Sequence, residues 1–394
     1  MRITHLCLGN SYIDHYAYQE NLITKYHKLL GHDVTIIASL ASFDKDGNPS
    51  FLSAGIQYVN ECGIPVTRLD YRGNLRIARK LRRYVGIPEA LEQAAPDILF
   101  IHGCQFTDIG LVVDYLKRHQ SVRTYVDNHA DFSNSARNFF SRNILHKVIW
   151  RSCAQKIAPY ARKFYGVLPA RVDFLKNVYH VPANKVELLV MGADDEAVRQ
   201  SADPAVRARI RAQYGIAEDD FLVMTGGKIN AFKTQTLLLM QAVRESGRPH
   251  LKLIVFGSVI AELKAQVAAL SDGVAVQFIG WVDAARTYDY FAACDLAVFP
   301  GRHSVFWEQV CGQGIPLLVK RWDGTTHVDV GGNARFLTKD SMEEIRTQLC
   351  DLVDHPEQYA QMRFVARQDG MKRFSYRDIA LRSISEEETG HADA

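Results

Sequence analysis

Two lysines spaced five positions apart follow an apolar stretch near the middle of the chain. The stretch Phe221–Met224 runs into Gly226 and Gly227, and Lys228 and Lys233 come next. Glycines let a backbone approach a ligand closely, and lysine ammonium groups bind phosphate as point charges. The spacing predicts a site for a polyanion, most simply a diphosphate. The alternative is that both lysines are solvated at the end of a strand.

A second polar segment follows the apolar stretch that ends at Pro300. Gly301–Ser304 precedes a helical pattern that contains Glu308. Backbone N–H groups at a helix start, together with the Ser304 hydroxyl, suit a phosphate. The alternative is a purely local role, in which Ser304 caps the helix and Glu308 lies one turn further on.

The elements that would position these loops alternate between strands and helices. Strands are predicted at 3–8, 32–39, 96–103, 122–129, 185–194, 220–227, 251–257, 274–282, 295–301 and 315–320. A basic helical region is expected from about 134 to 165, and a polar helical connection between 192 and 215. Such alternation predicts parallel, doubly wound sheets, which bind ligands at the carboxyl ends of their strands.

Length and composition fit an ordinary two-domain protein. The chain has 394 residues, 47% of them apolar and 23% charged, which excludes fibrous and disordered classes. Its seven cysteines are scattered without a CxxC pair, as expected in a reducing compartment. No signal peptide and no run of about 18 apolar residues is evident. We therefore expect a cytoplasmic protein.

The order of motifs along the chain resembles that of GT-B glycosyltransferases, specifically the large retaining family 4. The segments that carry the resemblance are LLGHDVTII (29–37), YHVPANKVELLVMGAD (179–194), GGKINAFK (226–233), VQFIGWV (276–282), EQVCGQGIPLLV (308–319) and FSYRDIA (374–380). The resemblance implies an α/β fold of two Rossmann-like domains facing across a central crevice. It places an acceptor-binding domain at 1–195 and a nucleotide-sugar-binding domain at 205–370, with a C-terminal helix (about 371–386) packing back onto the first.

The resemblance also implies roles for four catalytic residues. Lys228 and Lys233 would neutralise the diphosphate as the glycosidic bond breaks, an interaction that is stronger in the transition state than in the ground state. Glu308 would accept hydrogen bonds from the ribose hydroxyls. His129, at the end of a strand, would contact the donor sugar near the reacting centre, although a lone histidine is more often structural.

Further positions follow from the same matches. The expected donor-binding residues are Gly9, Gly226, Gly227, Gly257, Trp281, Val282, His303, Ser304 and Gln309. The expected acceptor or loop residues are Tyr18, Gln19, Asp127 and Asp131. Trp281 could equally be a packing residue.

The chain departs from the family pattern at two places. The Glu-x7-Glu signature is broken: Ser304 stands where the first glutamate would fall, and only Glu308 or Gln309 can serve as the second. The usual glycine-rich loop after the first strand is replaced by residues 8–21, whose only glycine is Gly9. Both departures change how the hydroxyls of the donor sugar are held.

No metal or cofactor is predicted. The single Asp-x-Asp, at 44–46, lies in a polar stretch without a second ligand cluster. Two lysines can also supply the electrostatic stabilisation that a metal ion would give. The nucleotide-sugar would be a substrate.

The first half carries an unusual basic stretch. Residues 132–172 contain eight Lys or Arg and no Asp or Glu, and residues 68–83 contain seven basic residues against one Asp. Cationic stretches with interleaved aromatic residues suit an anionic membrane surface. The alternative is an apolar core under a solvated charged face. Nucleic acid is not predicted, because no binding module is present.

Together these features predict a retaining, metal-independent hexosyltransferase (EC 2.4.1.-). It would move a hexose or N-acetylhexosamine from a nucleotide diphosphate sugar, most simply UDP-linked, to a cell-surface glycan or lipid-linked oligosaccharide. The protein would be peripheral at the inner face of the membrane. Two alternatives remain: a nucleotide-sugar 2-epimerase of the same fold, and a non-catalytic subunit of a polysaccharide assembly complex.

Overall fold

The computed structural model describes residues 1–44, 49–231 and 233–385. Backbone contacts divide the chain into two compact units. Among the described residues, the first unit is Met1–Val190 together with 379–385, and the second is Met191–Asp378. Lys45, Asp46 and Glu386, which belong to expectations stated above, lie outside the described residues. No described helix is long and apolar enough to cross a membrane.

The first unit is built on a mostly parallel sheet. Its strands are β1 (Arg2–Cys7), β2 (Asp33–Ala38), β3 (Ala41–Phe43), β4 (Pro49–Phe51), β5 (Gln57–Val59), β6 (Pro65–Arg68), β7 (Ile98–His102), β8 (Arg123–Asn128), β9 (Ala161–Gly166) and β10 (Val186–Leu188). Within the described ranges, the main sheet has the order β10-β9-β8-β7-β1-β2-β6-β5, and only β5 runs antiparallel to its neighbour. Strands β3 and β4 form a separate antiparallel pair.

The helices of the first unit cover this sheet. They are α1 (Gln19–Leu29), α2 (Leu75–Leu81), α3 (Ile87–Ala94), α4 (Ile109–Arg118), α5 (Arg151–Ile157) and α6 (Pro169–Asn177), with a π-helical segment at Ser141–Trp150. Every residue of β7 is buried. Burial on both faces is what helices on both sides of a parallel sheet produce.

The second unit repeats the architecture with a fully parallel sheet. Its strands are β11 (Phe221–Gly226), β12 (Leu251–Phe256), β13 (Val276–Phe278), β14 (Leu296–Phe299), β15 (Leu317–Lys320) and β16 (Ala334–Leu337), in the order β13-β12-β11-β14-β15-β16 among the described residues. Its helices are α7 (Asp195–Ser201), α8 (Pro204–Gln213), α9 (Gln235–Arg244), α10 (Lys264–Leu270), α11 (Thr287–Ala293), α12 (Phe306–Gly312), α13 (Met342–Asp354), α14 (Pro356–Val365) and α15 (Met371–Arg373). The last helix, α16 (Tyr376–Ser383), contains the point at which the chain returns to the first unit.

Each sheet has a point where the strand order reverses. In the first unit this point lies between β1 and β7, and in the second it lies between β11 and β14. The loops that leave the two strands at such a point diverge and open a crevice at the carboxyl edge of the sheet. These two edges are therefore where ligands are expected within each unit.

Several element predictions were wrong in detail, and the strand expected at 185–194 ends at Leu188. The region from about 134 to 165 was expected to be helical, but its end is strand β9, which pairs with both β8 and β10. That pairing joins residues distant in sequence, so local composition does not reveal it. The strand expected at 274–282 ends at Phe278. Gly280, with φ of 78°, turns the chain away from the sheet.

Candidate functional site

The loops after β11 and β14 form one pocket in the second unit. It is lined by Gly226, Gly227, Lys228, Lys233, Gly301, Arg302 and Ser304, among others. A side chain built at Gly301 would meet Gln235 Oε1 at 3.3 Å and Lys233 Cγ at 4.0 Å, so the two loops lie against each other. The pocket thus brings together five residues predicted from the sequence: the two glycines, the two lysines and Ser304.

Glycine is required at two positions of this pocket wall for steric reasons. A Cβ at Gly257 would lie 1.9 Å from the carbonyl oxygen of Gly227, and Gly257 has φ of 130°. A Cβ at Gly226 would lie 2.3 Å from the ring of Phe256. The backbones after β11 and β12 are therefore packed too closely for any side chain, which fixes the loop that carries the lysines.

The two lysines differ in environment. Lys228 is exposed, whereas Lys233 is half-buried. The backbone N–H of Lys233 donates to the Asn230 carbonyl at 2.9 Å. Burial, and then the nearby charge of Arg302, lower the pKa of Lys233. Arg302 is a third cation of the pocket that the sequence analysis did not assign. Three cations beside one strand edge form an electropositive site suited to a diphosphate.

Glu308 is an ionised carboxylate held by two histidines. Its Oε1 accepts hydrogen bonds from His303 Nε2 at 2.7 Å and from His327 Nε2 at 2.8 Å. Burial alone would raise the pKa of Glu308, but the two histidines outweigh it and lower the pKa to about 2. Among the described residues, Glu308 Oε2 and His327 Nδ1 have no hydrogen-bond partner. Both atoms are buried without a protein partner, as a binding site for a ligand would leave them.

His327 was not anticipated from the sequence. It lies 19 positions after Glu308, beyond β15, in a short 3₁₀ turn at Thr326–Val328. No local spacing links it to the loop after β14, and only the adjacency of β14 and β15 brings the two segments together.

The start of α12 differs from the expected helix cap. The helix begins at Phe306 with Val305 as N-cap, so Ser304 precedes the cap position. The Ser304 hydroxyl is 3.5 Å from the Phe306 N–H, a weak contact that leaves the hydroxyl free to bind a ligand. Gln309 instead points into the unit, where its amide donates to Thr287 Oγ1 at 3.1 Å.

Trp281 and Val282 lie beside a neighbouring pocket. Trp281 is 70% exposed and Val282 is buried. Trp281 lines this pocket together with Gly257 and Gly280, and the Gly280 carbonyl accepts from the Gly257 N–H at 2.7 Å. An exposed indole next to the strand edge is available for stacking, whereas Val282 contributes packing.

In the first unit, His129 lies among buried carboxylates. Its Nε2 is 3.4 Å from Asp127 Oδ2 and 3.9 Å from Glu20 Oε1. Burial lowers the pKa of His129, but Asp127 and Glu20 outweigh it, so the net shift is upward. Asp127 is fully buried, and its Oδ2 also accepts from His102 Nδ1 at 2.7 Å. Burial would raise the pKa of Asp127, but His102 and His129 hold it well below its usual range.

The loop after β1 places polar groups near the same sheet edge. A Cβ at Gly9 would lie 1.8 Å from the carbonyl oxygen of Gly103, so the ends of β1 and β7 touch. Gln19 is buried, and neither atom of its amide has a partner among the described residues. Tyr18 is the N-cap residue of α1 and is partly exposed. Gln19 is therefore the stronger ligand-binding candidate of this loop.

Asp131 has a structural role in the loop after β8. Its Oδ1 accepts from the N–H groups of Ser133 and Asn134 at 2.7 and 3.1 Å, and its Oδ2 accepts from Arg171 Nε at 3.1 Å. These bonds fix the turn that follows His129.

Two clusters in the described ranges could hold a metal ion: His303 with Glu308 and His327, and Asp219 with Asp220 and His250. In the first cluster, the N–O distances of 2.7 and 2.8 Å are those of hydrogen bonds to a shared carboxylate oxygen. The second is at the surface, where Asp219 and His250 are exposed. The hydrogen-bonded form of the first cluster accounts for its geometry without an ion.

A basic and apolar face covers part of the first unit. Of the apolar residues in its basic stretch, Phe139, Phe140, Ile144 and Val148 are exposed, whereas Trp150 is buried. Cations lie over aromatic rings at several points of this face: Lys80 over Phe140 at 4.8 Å and Arg142 over Phe132 at 4.5 Å. The basic stretch therefore carries exposed apolar side chains as well as core residues.

Comparisons with known proteins rest on structure. No protein-family model matches the sequence, and no curated protein matches it. Among solved structures, HepE of Anabaena in complex with UDP is similar, with a TM-score of 0.66, 15% identity and coverage of 97% of this chain and 98% of HepE. WaaG, a glycosyltransferase involved in lipopolysaccharide biosynthesis, has a TM-score of 0.65 and 13% identity, covering 98% of this chain and all (100%) of WaaG.

A third similar structure has a different chemistry. A putative UDP-N-acetylglucosamine 2-epimerase from Listeria monocytogenes has a TM-score of 0.61 and 14% identity, covering 97% of this chain and 94% of its own. Likeness at such identities is evidence of fold only. The α/β architecture, two Rossmann-like domains each with a parallel sheet, is that of the GT-B fold found in these glycosyltransferases.

Proposed function

We propose that the protein is a glycosyltransferase that uses a nucleotide diphosphate sugar, most simply a UDP-sugar, as donor. The observation that carries the proposal is the pocket at the strand-order reversal of the second unit, where Lys228, Lys233 and Arg302 meet. Support comes from the shared GT-B fold and from HepE, whose solved structures include complexes with UDP and with UDP-glucose.

In this proposal the cations stabilise the leaving diphosphate. Negative charge grows on the diphosphate as the glycosidic bond breaks, so the cations bind the transition state more tightly than the ground state. A half-buried lysine such as Lys233 is well suited, because low dielectric strengthens its attraction to the phosphate. Glu308 Oε2 and His327 Nδ1 would accept the ribose hydroxyls, and Trp281 would stack near the base.

We further propose a retaining mechanism of the family 4 type, in which the departing phosphate oxygen takes the proton of the acceptor hydroxyl. No carboxylate nucleophile is then needed, and the enzyme acts by positioning and electrostatic stabilisation. His129 contacts the donor sugar in this mechanism. The donor sugar is a hexose or N-acetylhexosamine, and the reaction needs no metal or other cofactor.

The acceptor is proposed to be a glycan or lipid-linked oligosaccharide at an anionic membrane surface. The exposed Phe139, Phe140, Ile144 and Val148 beside basic residues support this proposal. Aromatic and basic side chains together favour the headgroup region of anionic bilayers. The protein would then work as a peripheral protein at the inner face of the membrane.

Donor turnover tests the proposal. Purified protein is incubated with UDP-glucose, UDP-galactose and UDP-N-acetylglucosamine, with and without EDTA, and released UDP and the recovered sugar are measured. Slow release of UDP from one donor, unchanged by EDTA and lost in Lys233→Ala, is expected. Interconversion of the UDP-sugar without UDP release would instead identify an epimerase. Binding without any turnover would indicate a non-catalytic subunit.

A further inference from the structure

A line of hydrogen-bonded side chains runs across the sheet of the first unit, starting next to His129. His102 Nδ1 is 2.7 Å from Asp127 Oδ2, and His102 Nε2 is 2.9 Å from His5 Nδ1. His5 Nε2 is 3.0 Å from His27 Nδ1. The three rings His5, His27 and His102 are fully buried, so water cannot substitute for any of these bonds.

The far end of the line is a carbonyl group in α16. His27 Nε2 is 3.0 Å from the Ala380 carbonyl oxygen and 3.1 Å from Ser383 Oγ. The Ser383 hydroxyl donates to the same Ala380 carbonyl at 2.8 Å. With its proton used there, Ser383 Oγ can only accept from His27. Both partners of His27 Nε2 are therefore acceptors, and this nitrogen must carry a proton.

The near end is also an acceptor. Asp127 Oδ1 accepts from the Gly103 N–H at 3.0 Å, and its buried carboxylate has a strongly lowered pKa. Asp127 Oδ2 therefore needs a proton from His102 Nδ1. The line thus connects two terminal acceptors through three imidazole rings.

Counting protons along the line leads to a definite charge. Two junctions between rings and two terminal contacts make four hydrogen bonds, and each requires one proton. Three neutral imidazoles carry one N–H each, so they supply only three. One of the three rings must carry two protons and a positive charge.

The position of that charge follows from the neighbours of each ring. Burial, and then the proximity of the other histidines, lower the pKa of His5 well below its usual value. Burial lowers the pKa of His27 to about 3. His102 alone among the three contacts a carboxylate, and opposite charges at 2.7 Å favour the charged form.

We propose that His102 is a buried imidazolium that pairs with Asp127 and thereby positions His129 and sets its acidity. Asp127 Oδ2 is shared by His102 and His129, so the charge on His102 offsets much of the attraction that Asp127 exerts on a proton at His129. His129 is held with Nε2 turned towards Asp127 and Nδ1 left for a ligand. His102 is a positioning residue, and its effect on turnover rests on the proposed function.

The charges that face His129 come from three other elements. Glu20 on α1 raises its pKa and Arg171 on α6 lowers it, while His102 on β7 acts through Asp127. Removing the positive charge from His102 leaves Asp127 and Glu20 opposed only by Arg171. The pKa of His129 must then rise.

Nuclear magnetic resonance of 15N-histidine-labelled full-length protein tests the charge directly. Of the 14 histidines, His102 should show both ring nitrogens protonated at neutral pH. His5 and His27 should be neutral there, each with Nε2 protonated. The His102 signals are identified by their loss in His102→Gln, with His119→Gln as a partly exposed control in the same unit.

A second variant keeps the test decisive if His102→Gln does not fold. His5→Leu removes the acceptor for His102 Nε2–H, so His102 should lose its second proton and become neutral. A His102 that stays doubly protonated in His5→Leu would overturn the proton count. A neutral His102 in the wild type would overturn the proposal outright.

The pH profile of donor turnover tests the effect on His129. In His102→Gln the limb assigned to His129 should move upward by about one pH unit, the usual size of a nearby-charge effect, while His119→Gln leaves it in place. If the resonance experiment shows a charged His102 but the pH profile of His102→Gln matches that of wild type, the positioning role is overturned. Absence of any turnover in wild type would refute the proposed function, yet the resonance result would still decide the charge.

Discussion

At the residue scale, the donor pocket depends on close contact between two backbones. Gly257 packs against the Gly227 carbonyl, and Gly227 directly precedes Lys228. The glycines fix the path of the loop, and the loop fixes where the two lysines can reach. Charge and backbone geometry are therefore linked at this edge of the sheet.

Replacing Gly257 with alanine should weaken both donor binding and the fold. The added Cβ would lie 1.9 Å from the Gly227 oxygen, so the loop must move. We expect UDP affinity to fall at least about tenfold and the free energy of unfolding to fall by about 1–3 kcal/mol. Isothermal titration and thermal melting measure the two effects.

Gly331→Ala is the matched control. Gly331 has φ of 120°, close to that of Gly257, but a Cβ there meets nothing within 4 Å. It should show the backbone strain without the collision, so stability falls while UDP affinity is kept. Equal loss of UDP affinity in both variants would contradict the proposed role of Gly257.

The site residues that could be predicted from the sequence are those that lie close together along the chain. Gly226, Gly227, Lys228 and Lys233 form one short segment, so their common pocket follows from the strand before them. His327 could not be found this way, because its contact with Glu308 depends on the pairing of β14 with β15. The same holds for His5 and His102, which lie 97 positions apart and meet because β1 and β7 are neighbours.

At the element scale, β1, β7 and α1 bury ionisable rings inside the first unit. His5 on β1 and His27 on α1 both have lowered pKa values, mainly because burial disfavours the charged form. His146 in the π-helical segment has its pKa lowered to about 4, also by burial. His5, His27 and His146 therefore stay neutral in the folded protein at pH values where an unfolded chain would protonate them.

Stability should therefore fall as the pH drops below about 6.5, the pKa of histidine in an unfolded chain. Below that pH the unfolded state binds more protons than the folded state, which gives stability a positive slope against pH. The Glu308 carboxylate has a pKa of about 2 in the folded protein, against an ordinary value of 4.5. It therefore adds to the loss of stability only below about pH 4.5. Urea unfolding between about pH 7.5 and about pH 5 measures the slope.

His27→Gln should be less stable than wild type at neutral pH but should show a shallower slope. One ring that unfolds with proton uptake has been removed. An unchanged slope in this variant, or a wild-type stability that is flat over the range, would contradict neutral burial of these histidines.

The strands were easier to predict from the sequence than the neighbouring strands with which they pair. The apolar run at 96–103 identified the buried parallel strand β7, Ile98–His102, with bounds correct to within about two residues. Strand β9 has a polar, basic sequence, ARKFYG, and only its pairing with β8 and β10 makes it a strand. Tertiary contacts outweigh local propensity at that position.

At the scale of the whole molecule, one face of the first unit carries both charge and exposed apolar groups. Phe139 is 79% exposed and Val148 is 57% exposed, in a stretch without acidic residues. Exposed apolar groups in a cationic surface are typical of proteins that bind anionic bilayers.

Phe139→Ser with Val148→Ser should weaken binding to vesicles that contain phosphatidylserine by at least about tenfold, or about 1.4 kcal/mol, since one apolar side chain contributes about 1.5–3 kcal/mol when fully buried. Vesicle flotation measures the effect. Phe364→Ser, at a 60% exposed aromatic residue of the second unit, is the control and should bind as wild type does. Equal binding by all three proteins would refute the proposed membrane face.

The central claim is that the second unit binds a nucleotide diphosphate through its cationic pocket. Isothermal titration of UDP and GDP, without added metal, against wild type, Lys233→Ala and Lys339→Ala tests it most directly; Lys339 is exposed and lies outside the pocket. We predict micromolar binding of UDP, weakened at least about tenfold, or about 1.4 kcal/mol, by Lys233→Ala alone. Absence of binding by either nucleotide, or equal affinity in all three proteins, would contradict the account.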